Sequence, residues 1–164
     1  MREESNMSRD RAAYDPNFKY DVAAHAGGEQ IKVCYSCGTC TAGCPVSEVD
    51  GRYSPRKIIR QVLLGQREAV LSSPLLWYCE TCYACTAYCP QNVKFGDVMR
   101  ALREMAVEEG YWPPEMLQRI RNVDRLAHDL RLELVRAAVE GDHAPDLSAA
   151  QDVVIKKIET TEIW

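Results

Sequence analysis

The feature that most constrains this chain is a cysteine pattern that occurs twice. Residues 34–45 read CYSCGTCTAGCP and residues 79–90 read CETCYACTAYCP, so both stretches have the spacing C-x2-C-x2-C-x3-C-P. Since every cysteine belongs to one of these stretches, none is left over as a nucleophile. The fold must therefore hold two sets of four thiols, and the eight residues are Cys34, Cys37, Cys40, Cys44, Cys79, Cys82, Cys85 and Cys89.

The rest of the sequence predicts that the protein is in a reducing compartment, where cysteines bind metals more often than they form disulfides. The first residues, MREESNMSRDRAAYDP, lack the apolar segment of a secretory signal, and no apolar run is long enough to cross a bilayer. We therefore expect a cytoplasmic protein, in which an even cysteine count favours metal over disulfides. The net charge of -4 gives no sign of the basic surface that nucleic-acid binding requires.

The cysteine spacing is typical of [4Fe-4S] cubane clusters. Three cysteines at intervals of two residues wrap around one corner of a cube, and the fourth iron needs a thiolate from elsewhere. In two-cluster ferredoxins the cysteine before the proline binds the other cluster. We therefore expect two [4Fe-4S] clusters with exchanged ligands. One is predicted to take Cys34, Cys37, Cys40 and Cys89, and the other Cys79, Cys82, Cys85 and Cys44.

Nearby residues support this interpretation, and zinc is the alternative. Pro45 and Pro90 are expected to turn the chain away after each fourth cysteine. Gly38 and Gly43 are expected to let backbone N–H groups approach the cluster sulfurs. Zinc also binds paired C-x2-C motifs, but it has no use for the third cysteine or the repeated Cys-Pro.

Aromatic residues and histidines near the motifs carry less information. The aromatic side chains beside the ligands are expected to pack against neighbours or to shield the clusters. Histidines lie outside both motifs and are not predicted to be ligands. The aromatic residues are Tyr35, Trp77, Tyr78, Tyr83 and Tyr88, and the histidines are His25, His128 and His143.

Hydrophobic periodicity and helix start and stop signals predict a mainly α protein. Ser54 and Pro55 begin a helix that Gly65 ends, and Ser73-Pro74 repeats the start signal. The apolar face of the first of these helices is expected to carry Ile58, Ile59, Val62 and Leu63.

Two further helices are predicted after the second motif. Asp97 is placed at the N-cap of the first and Gly110 at its end. The second runs from Pro113-Pro114 to about Glu140. The buried face of the first is expected to contain Val98, Ala101, Leu102, Met105 and Ala106; the apolar stripe of the second contains Leu117, Ile120, Val123, Ala127, Leu130, Leu134 and Ala138.

These signals divide the chain into four predicted parts. An N-terminal arm covers residues 1–28, and a helical two-cluster domain covers residues 29–112. A C-terminal helix covers residues 113–141, and a tail covers residues 142–164. The tail, QDVVIKKIETTEIW at its end, is expected either to add to a partner as an extended segment or to fold back on its own helices.

The chain lacks the motifs that bind larger cofactors. It has no G-x-G-x-x-G and no G-x-x-x-x-G-K-[ST], so we expect no flavin, nicotinamide or nucleotide site of its own. A two-cluster protein without a substrate site is most simply a non-catalytic electron relay, with no catalytic residues and with the substrate chemistry on partner subunits.

Four stretches resemble the C subunit of heterodisulfide reductase and its bacterial relatives. They are CYSCGTCTAGCPV, SPRKIIRQVLLGQ, WYCETCYACTAYCP and VMRALREMA, and the likeness spans about Ile31 to Tyr111. The resemblance implies the all-helical ferredoxin-type fold, which succinate dehydrogenase iron–sulfur subunits also have. It further implies a hetero-oligomer in which this chain carries electrons between a flavin-containing A-like subunit and a CCG-type B-like subunit. Since the chain has no CCG element, the resemblance implies relay and not disulfide chemistry.

Two alternatives stay open at this point. An iron–sulfur subunit of a succinate or fumarate oxidoreductase is weakened by the lack of a plant-type cysteine set for a [2Fe-2S] domain. A zinc-stabilised interaction module would have no redox role. The terminal electron donor and acceptor, the potentials, any electron bifurcation and the stoichiometry of the assembly are not determined by the sequence.

Overall fold

The computed structural model describes residues 14–140 together with Ile155 and Lys156. These residues form helices and turns and no strand, so the predicted mainly α fold is confirmed for the described part of the chain. The α-helices are Phe18–Ala24 (α1), Thr39–Ala42 (α2), Pro45–Val49 (α3), Pro55–Leu63 (α4), Arg67–Leu71 (α5), Ala84–Tyr88 (α6), Phe95–Glu108 (α7) and Glu115–Glu140 (α8), and 3₁₀ helices cover Ile31–Val33 and Pro74–Tyr78.

The chain divides after Pro113 into two compact units. The first contains both cysteine motifs, and the second contains α8. Residues 1–13 of the predicted arm lie outside the described residues. So does the predicted tail, apart from Ile155 and Lys156.

Helix α7 is the centre of the first unit. Its apolar residues recur every three or four positions, which places them on one face. Helices α1, α5 and α6 and the 3₁₀ helix Pro74–Tyr78 pack against it. The predicted inward residues Val98, Ala101, Leu102, Met105 and Ala106 are each 2% exposed or less. Burying each larger one stabilises the fold by roughly 1.5–3 kcal/mol.

The predicted start of α7 at Asp97 is wrong, and its predicted end is confirmed. The helix begins at Phe95 after Lys94, which adopts φ +55°. Asp97 lies in the first turn, where its negative charge interacts favourably with the helix dipole. The helix ends at Glu108, and Gly110 has φ +78°, a conformation that favours glycine.

The predicted signals of α4 are confirmed. Ser54 Oγ accepts a hydrogen bond from the Lys57 N–H at 3.3 Å, and Pro55 opens the first turn. Gly65, at φ +80°, ends the helix. It also allows close approach, since a Cβ there would lie 2.3 Å from the carbonyl oxygen of Asp15. The buried residues of this face are Ile58, Ile59 and Val62, and Leu63 is half-buried.

Residues 14–28, which the sequence assigned to the arm, contribute two side chains to the core of the first unit. Phe18 and Val22 in α1 are fully buried. Arg67 fixes this segment, since its Nη1 donates to Asp15 Oδ2 at 2.7 Å and to Asp21 Oδ2 at 2.6 Å, while its Nη2 donates to Glu109 Oε1 at 2.6 Å. The sequence did not reveal this, because two apolar residues in a polar stretch give too short a periodic signal.

Helix α8 spans the predicted range but has no buried residue. Its predicted apolar stripe is therefore at most half-buried within the described residues. Neither α8 nor any other described helix is long and apolar enough to span a bilayer.

Candidate iron–sulfur centre

The two cysteine motifs fold into similar loops. Two residues after the first cysteine of each loop the backbone turns left-handed, at Ser36 with φ +62° and at Thr81 with φ +50°. This turn directs the N–H of each residue toward the preceding thiol. Ser36 N–H donates to Cys34 Sγ at 3.4 Å, and Thr81 N–H donates to Cys79 Sγ at 3.4 Å. The repeat in the sequence is therefore also a repeat in the backbone.

A second left-handed residue follows the second cysteine of each loop. It is Gly38 in the first loop, with φ +90°, and Tyr83 in the second, with φ +60°. Tyr83 has contacts that offset the strain, since its hydroxyl donates to Asp97 Oδ1 at 3.2 Å. Its ring also lies against Gly96, where a Cβ would be 3.0 Å from the ring. Each loop then enters a short helix, α2 or α6.

Five cysteines line a cavity in the first half of the site. The side-chain hydrogen bond between Cys37 Sγ and Thr39 Oγ1, 3.3 Å apart, lowers the pKa of Cys37. Burial raises the pKa of Cys40. The Val93 N–H donates to Cys89 Sγ at 3.4 Å. Four of the five, Cys34, Cys37, Cys40 and Cys89, are the set predicted for the first cluster, and the fifth is Cys85 of the second motif.

Four thiols line a second cavity, and one of them, Cys85, also lines the first. Cys82 is exposed, whereas Cys85 is 8% exposed. Burial raises the pKa of Cys85 to about 11, so its thiolate needs a compensating cation to form at neutral pH. The four thiols are those of Cys44, Cys79, Cys82 and Cys85, which is the set predicted for the second cluster.

Each cavity thus receives the last cysteine of the opposite motif. Cys44 and Cys89 have extended backbones, with ψ +118° and +114°, so the chain leaves its own loop at these positions. Pro45 then occupies the first position of α3, where its missing N–H costs nothing. Helices α2 and α6 pack against each other, which brings the loops together.

The cavities share a wall. Cys85 and Phe95 line both of them. The first cavity is therefore in contact with a thiol that belongs to the predicted ligand set of the second. The two sites are separated there by single side chains.

The thiols of each site surround a cavity and do not converge on the position of a single metal ion. No three His, Cys, Asp or Glu side chains within residues 14–140 are grouped so that they could hold one metal ion. A tetrahedral zinc site requires four ligands at bonding distance from one atom. A cubane instead takes one thiolate at each of four separate irons. The arrangement fits the cubane better than zinc.

One arginine lies near each cavity, and the two differ in burial. Arg56 lines the first cavity and is exposed. Arg103 is only 6% exposed, and its Nη2 donates to the Cys79 carbonyl at 2.7 Å while its Nε donates to the Leu76 carbonyl at 2.8 Å. Its guanidinium also lies 5.6 Å from the Trp77 ring centre. Among the described residues no carboxylate forms an ion pair with Arg103.

Tyr53 lines the second cavity with a buried hydroxyl. The residue is 1% exposed, and its Oη has no hydrogen-bond partner among the described residues. Burial raises the pKa of Tyr53, and the neighbouring Cys79 and Cys44 raise it further. The hydroxyl is therefore close to two thiols of the cavity without making a hydrogen bond of good geometry to either.

Sequence reasoning missed both Arg103 and Tyr53. A signal for Arg103 existed, since it lies four residues after Met99 and next to Leu102 on a helix whose apolar face is buried. No comparable signal marked Tyr53, which lies outside the motifs near the exposed residues Gly51 and Arg52.

The aromatic residues that the sequence placed beside the ligands have different surroundings. Trp77 is 9% exposed and meets Trp112 edge-on at 5.6 Å. The tyrosines are more open, and they shield the cavities only in part. Their exposed fractions are 59% for Tyr35, 39% for Tyr78, 42% for Tyr83 and 57% for Tyr88.

Gly43 and the histidines have surroundings that refine the sequence predictions. A Cβ on Gly43 would lie 2.6 Å from the Tyr88 ring, so the space next to Gly43 is taken by this ring. His25 Nε2 lies 3.9 Å from Glu108 Oε2, and neither His25 nor His128 lines either of the two cysteine-lined cavities. His143 lies outside the described residues.

Comparisons with known proteins agree with the geometry. Residues 30–93 match a family described as the 4Fe-4S dicluster domain. The C subunit of the H(2):CoB-CoM heterodisulfide,ferredoxin reductase of Methanothermobacter marburgensis is 38% identical over 117 residues, which are 70% of this chain and 60% of that protein. The second iron–sulfur C subunit of the CoB--CoM heterodisulfide reductase of Methanocaldococcus jannaschii is 45% identical over 82 residues, which are 50% of this chain and 43% of that protein.

The match to a third relative covers a smaller share of that relative's own length. The C subunit of the Ferredoxin:CoB-CoM heterodisulfide reductase of Methanosarcina acetivorans is 43% identical over 77 residues, which are 47% of this chain and 30% of that protein. The chain thus spans about 60% of the length of the first relative and less of the others.

Proposed function

Since this chain belongs to the family of heterodisulfide reductase C subunits, we propose that it is the electron-relaying subunit of a heterodisulfide reductase-like complex. The resemblance predicted from the sequence is thereby confirmed, and the matched 4Fe-4S dicluster domain makes the chain an iron–sulfur protein. The proposal concerns what its clusters do and which subunits it meets.

Two [4Fe-4S] clusters are proposed to occupy the two cavities. Cys34, Cys37, Cys40 and Cys89 would hold the first, and Cys44, Cys79, Cys82 and Cys85 the second. When bound, the clusters supply reversible one-electron storage. The chain's residues supply the thiolates, and the N–H groups of Ser36, Thr81 and Val93 stabilise negative charge on the sulfurs.

The shared wall of the cavities is the observation that carries the relay proposal. An electron on one cluster would have to pass only Cys85 or Phe95 to reach the other. Two adjacent one-electron sites form a path across the domain, and one end of that path opens at the exposed Cys37 and the other at the exposed Cys82. A path with two ends suits a subunit that lies between two redox partners.

The proposed partners follow from the family. We propose that a flavin-containing A-like subunit gives electrons to one end and that a CCG-type B-like subunit receives them at the other. The chain itself would carry out no substrate chemistry. Thiolate ligands support a cytoplasmic location, since they persist in a reducing compartment.

Anaerobic purification of the full chain tests the clusters. We expect a brown protein with about eight iron and about eight acid-labile sulfide per chain, and with visible absorption that bleaches on reduction by dithionite. A colourless protein that contains stoichiometric zinc would overturn the proposal in favour of an interaction module.

Purification of the tagged chain from its native cells, followed by identification of bound proteins, tests the partners. We expect a flavoprotein and a second protein with CCG motifs. Recovery of a succinate- or fumarate-type flavoprotein in their place would favour that alternative. In a further step the dithionite-reduced chain is mixed with the recovered CCG protein, and reappearance of the visible absorption of the chain reports electron transfer.

A further inference from the structure

Tyr53 presents the second cavity with a polar group that has no partner. Its side chain is 1% exposed and its Oη makes no hydrogen bond within the described part of the chain. Cys79 and Cys44, two thiols of the same cavity, are its electrostatic neighbours. A buried hydroxyl without a partner destabilises a fold, and buried polar groups nearly always have one. An acceptor inside the cavity would remove this cost.

A cluster in the second cavity would supply that acceptor. Its sulfides and thiolate sulfurs carry negative charge, and a hydrogen bond to a charged acceptor is stronger than one between neutral groups. The phenol suits the role of donor, since an ordinary tyrosine pKa of about 10 leaves the proton on oxygen at neutral pH. The ring of Tyr53 is fixed by burial, so the donor is preorganised.

We propose that Tyr53 donates a hydrogen bond from Oη to a sulfur of the cluster in the second cavity and thereby raises the reduction potential of that cluster. The inference rests on the proposed function, because it requires a cluster at this site. Adding one electron makes the sulfurs more negative and strengthens the bond, so the reduced state gains more than the oxidised state. The proton stays on Tyr53 throughout.

None of the hydroxyl or guanidinium donors that line the first cavity is buried, since Thr39 and Arg56 are exposed and Ser36 is half-buried. Tyr35 interacts with Cys37, a thiol of that cavity, but it is 59% exposed. Water can replace an exposed hydroxyl as a hydrogen-bond donor, whereas nothing can replace a buried one. Tyr35 is therefore the matched control: a tyrosine at the other cavity whose loss should matter less.

The test is a potentiometric titration of the full-length protein, purified anaerobically and followed by electron paramagnetic resonance. Tyr53→Phe and Tyr35→Phe are compared with the unmodified chain, and Cys82→Ala identifies the signal of the second cluster. We expect Tyr53→Phe to lower the equilibrium constant for reduction of the second cluster by roughly three- to tenfold. For a one-electron couple, a tenfold decrease lowers the reduction potential by about 59 mV. The first cluster should be unchanged, and Tyr35→Phe should shift either cluster by less.

The outcomes separate this inference from the proposed function. If Tyr53→Phe retains its iron and both potentials are unchanged, the hydrogen bond is absent while the relay stands. If the unmodified chain binds no iron–sulfur cluster, the proposed function is wrong, and the inference about Tyr53 is wrong with it.

A second variant covers the case in which Tyr53→Phe does not assemble. Site-specific 3-fluorotyrosine at position 53 keeps the shape of the side chain and is a stronger donor, so it should raise the potential of the second cluster. An unchanged or lower potential would overturn the inference.

Discussion

The two cysteine loops have nearly the same backbone but different surroundings. In both, a left-handed residue places an N–H 3.4 Å from the first thiol, at Ser36 and at Thr81. The exposed Arg56 lines the first cavity, whereas the exposed Glu80 lines the second and the buried Arg103 holds the backbone carbonyl of Cys79 there. The repeated motif therefore sets where the thiols lie, and the residues packed around each loop set the local electrostatics.

The two arginines differ in the strength of their electrostatic interactions, because one is buried and the other is exposed. An exposed charge acts through water and salt, which screen it, whereas a buried charge acts through a medium of lower effective dielectric constant. Arg103 holds the carbonyl of Cys79 and has no carboxylate partner among the described residues. An anionic cluster in the second cavity would be its counter-charge. The electrostatic stabilisation of a cluster by its neighbouring arginine should therefore be stronger at the second site than at the first.

Substitution of the fourth cysteines should have the largest effect, because it removes a cluster ligand outright. It tests whether each motif lends its last cysteine to the opposite cluster. Cys89→Ala should damage the same cluster as Cys37→Ala, and Cys44→Ala should damage the same cluster as Cys82→Ala. Paramagnetic resonance spectra with iron analysis provide the measurement. Matching spectra for Cys89→Ala and Cys82→Ala would show instead that each loop binds its own cluster.

Removal of each arginine should have the next largest effect. Arg103→Met leaves two carbonyl acceptors without their charged donor, and we expect a loss of roughly 2–4 kcal/mol in unfolding free energy. Arg56→Met, at an exposed position, should change it by less than about 0.5 kcal/mol. Thermal melting followed by cluster absorption measures both, at about 2–4 °C per kcal/mol. Equal shifts for the two variants would contradict the contrast in burial.

The left-handed positions Gly38 and Tyr83 give the smallest expected effect. Gly38→Ala places a Cβ at φ +90° and should cost about 1 kcal/mol from backbone strain alone, because the nearest atom, Arg56 Cδ, is at an ordinary 3.5 Å. Tyr83→Ala keeps the left-handed backbone and removes the contacts with Asp97 and Gly96 that offset its strain. Its melting temperature should therefore fall by about as much as that of Gly38→Ala.

Gly51→Ala is the control for this pair, since nothing lies within 4 Å of its Cβ position and its φ is not left-handed. It should change the melting temperature little. If Gly38→Ala melts like Gly51→Ala, the left-handed turn is not a constraint on the first loop.

Much of the fold followed from local signals. Ser54, Pro55 and Gly65 marked the ends of α4 because capping and glycine conformations depend on a few adjacent residues. The inward face of α7 followed from its period. Asp97 was placed wrongly at the N-cap, since Lys94 at φ +55° starts the helix in a conformation that no local rule predicts for lysine.

Contacts between distant residues were not predictable in the same way. Residues 14–28 read as an arm, yet Arg67 binds Asp15 and Asp21 across more than 40 positions of sequence. Gly43 read as a position of cluster approach, yet the Tyr88 ring of the other motif occupies the adjacent space. Both depend on how α1, α2 and α6 pack, which a single sequence does not display.

Cysteine spacing alone was enough to predict the cluster ligands and to show which family the chain resembles, because ligand spacing is a local property that each cubane corner requires. Crossed ligation stays a prediction, supported by two cavities that are each lined by three cysteines of one motif and the last cysteine of the other. The sequence did not reveal that Tyr53 lines the second cavity or that Arg103 holds the Cys79 carbonyl there, and both became visible in the fold. Their burial arises from packing between segments far apart in the chain, and burial is what gives a hydroxyl or a charge its strength.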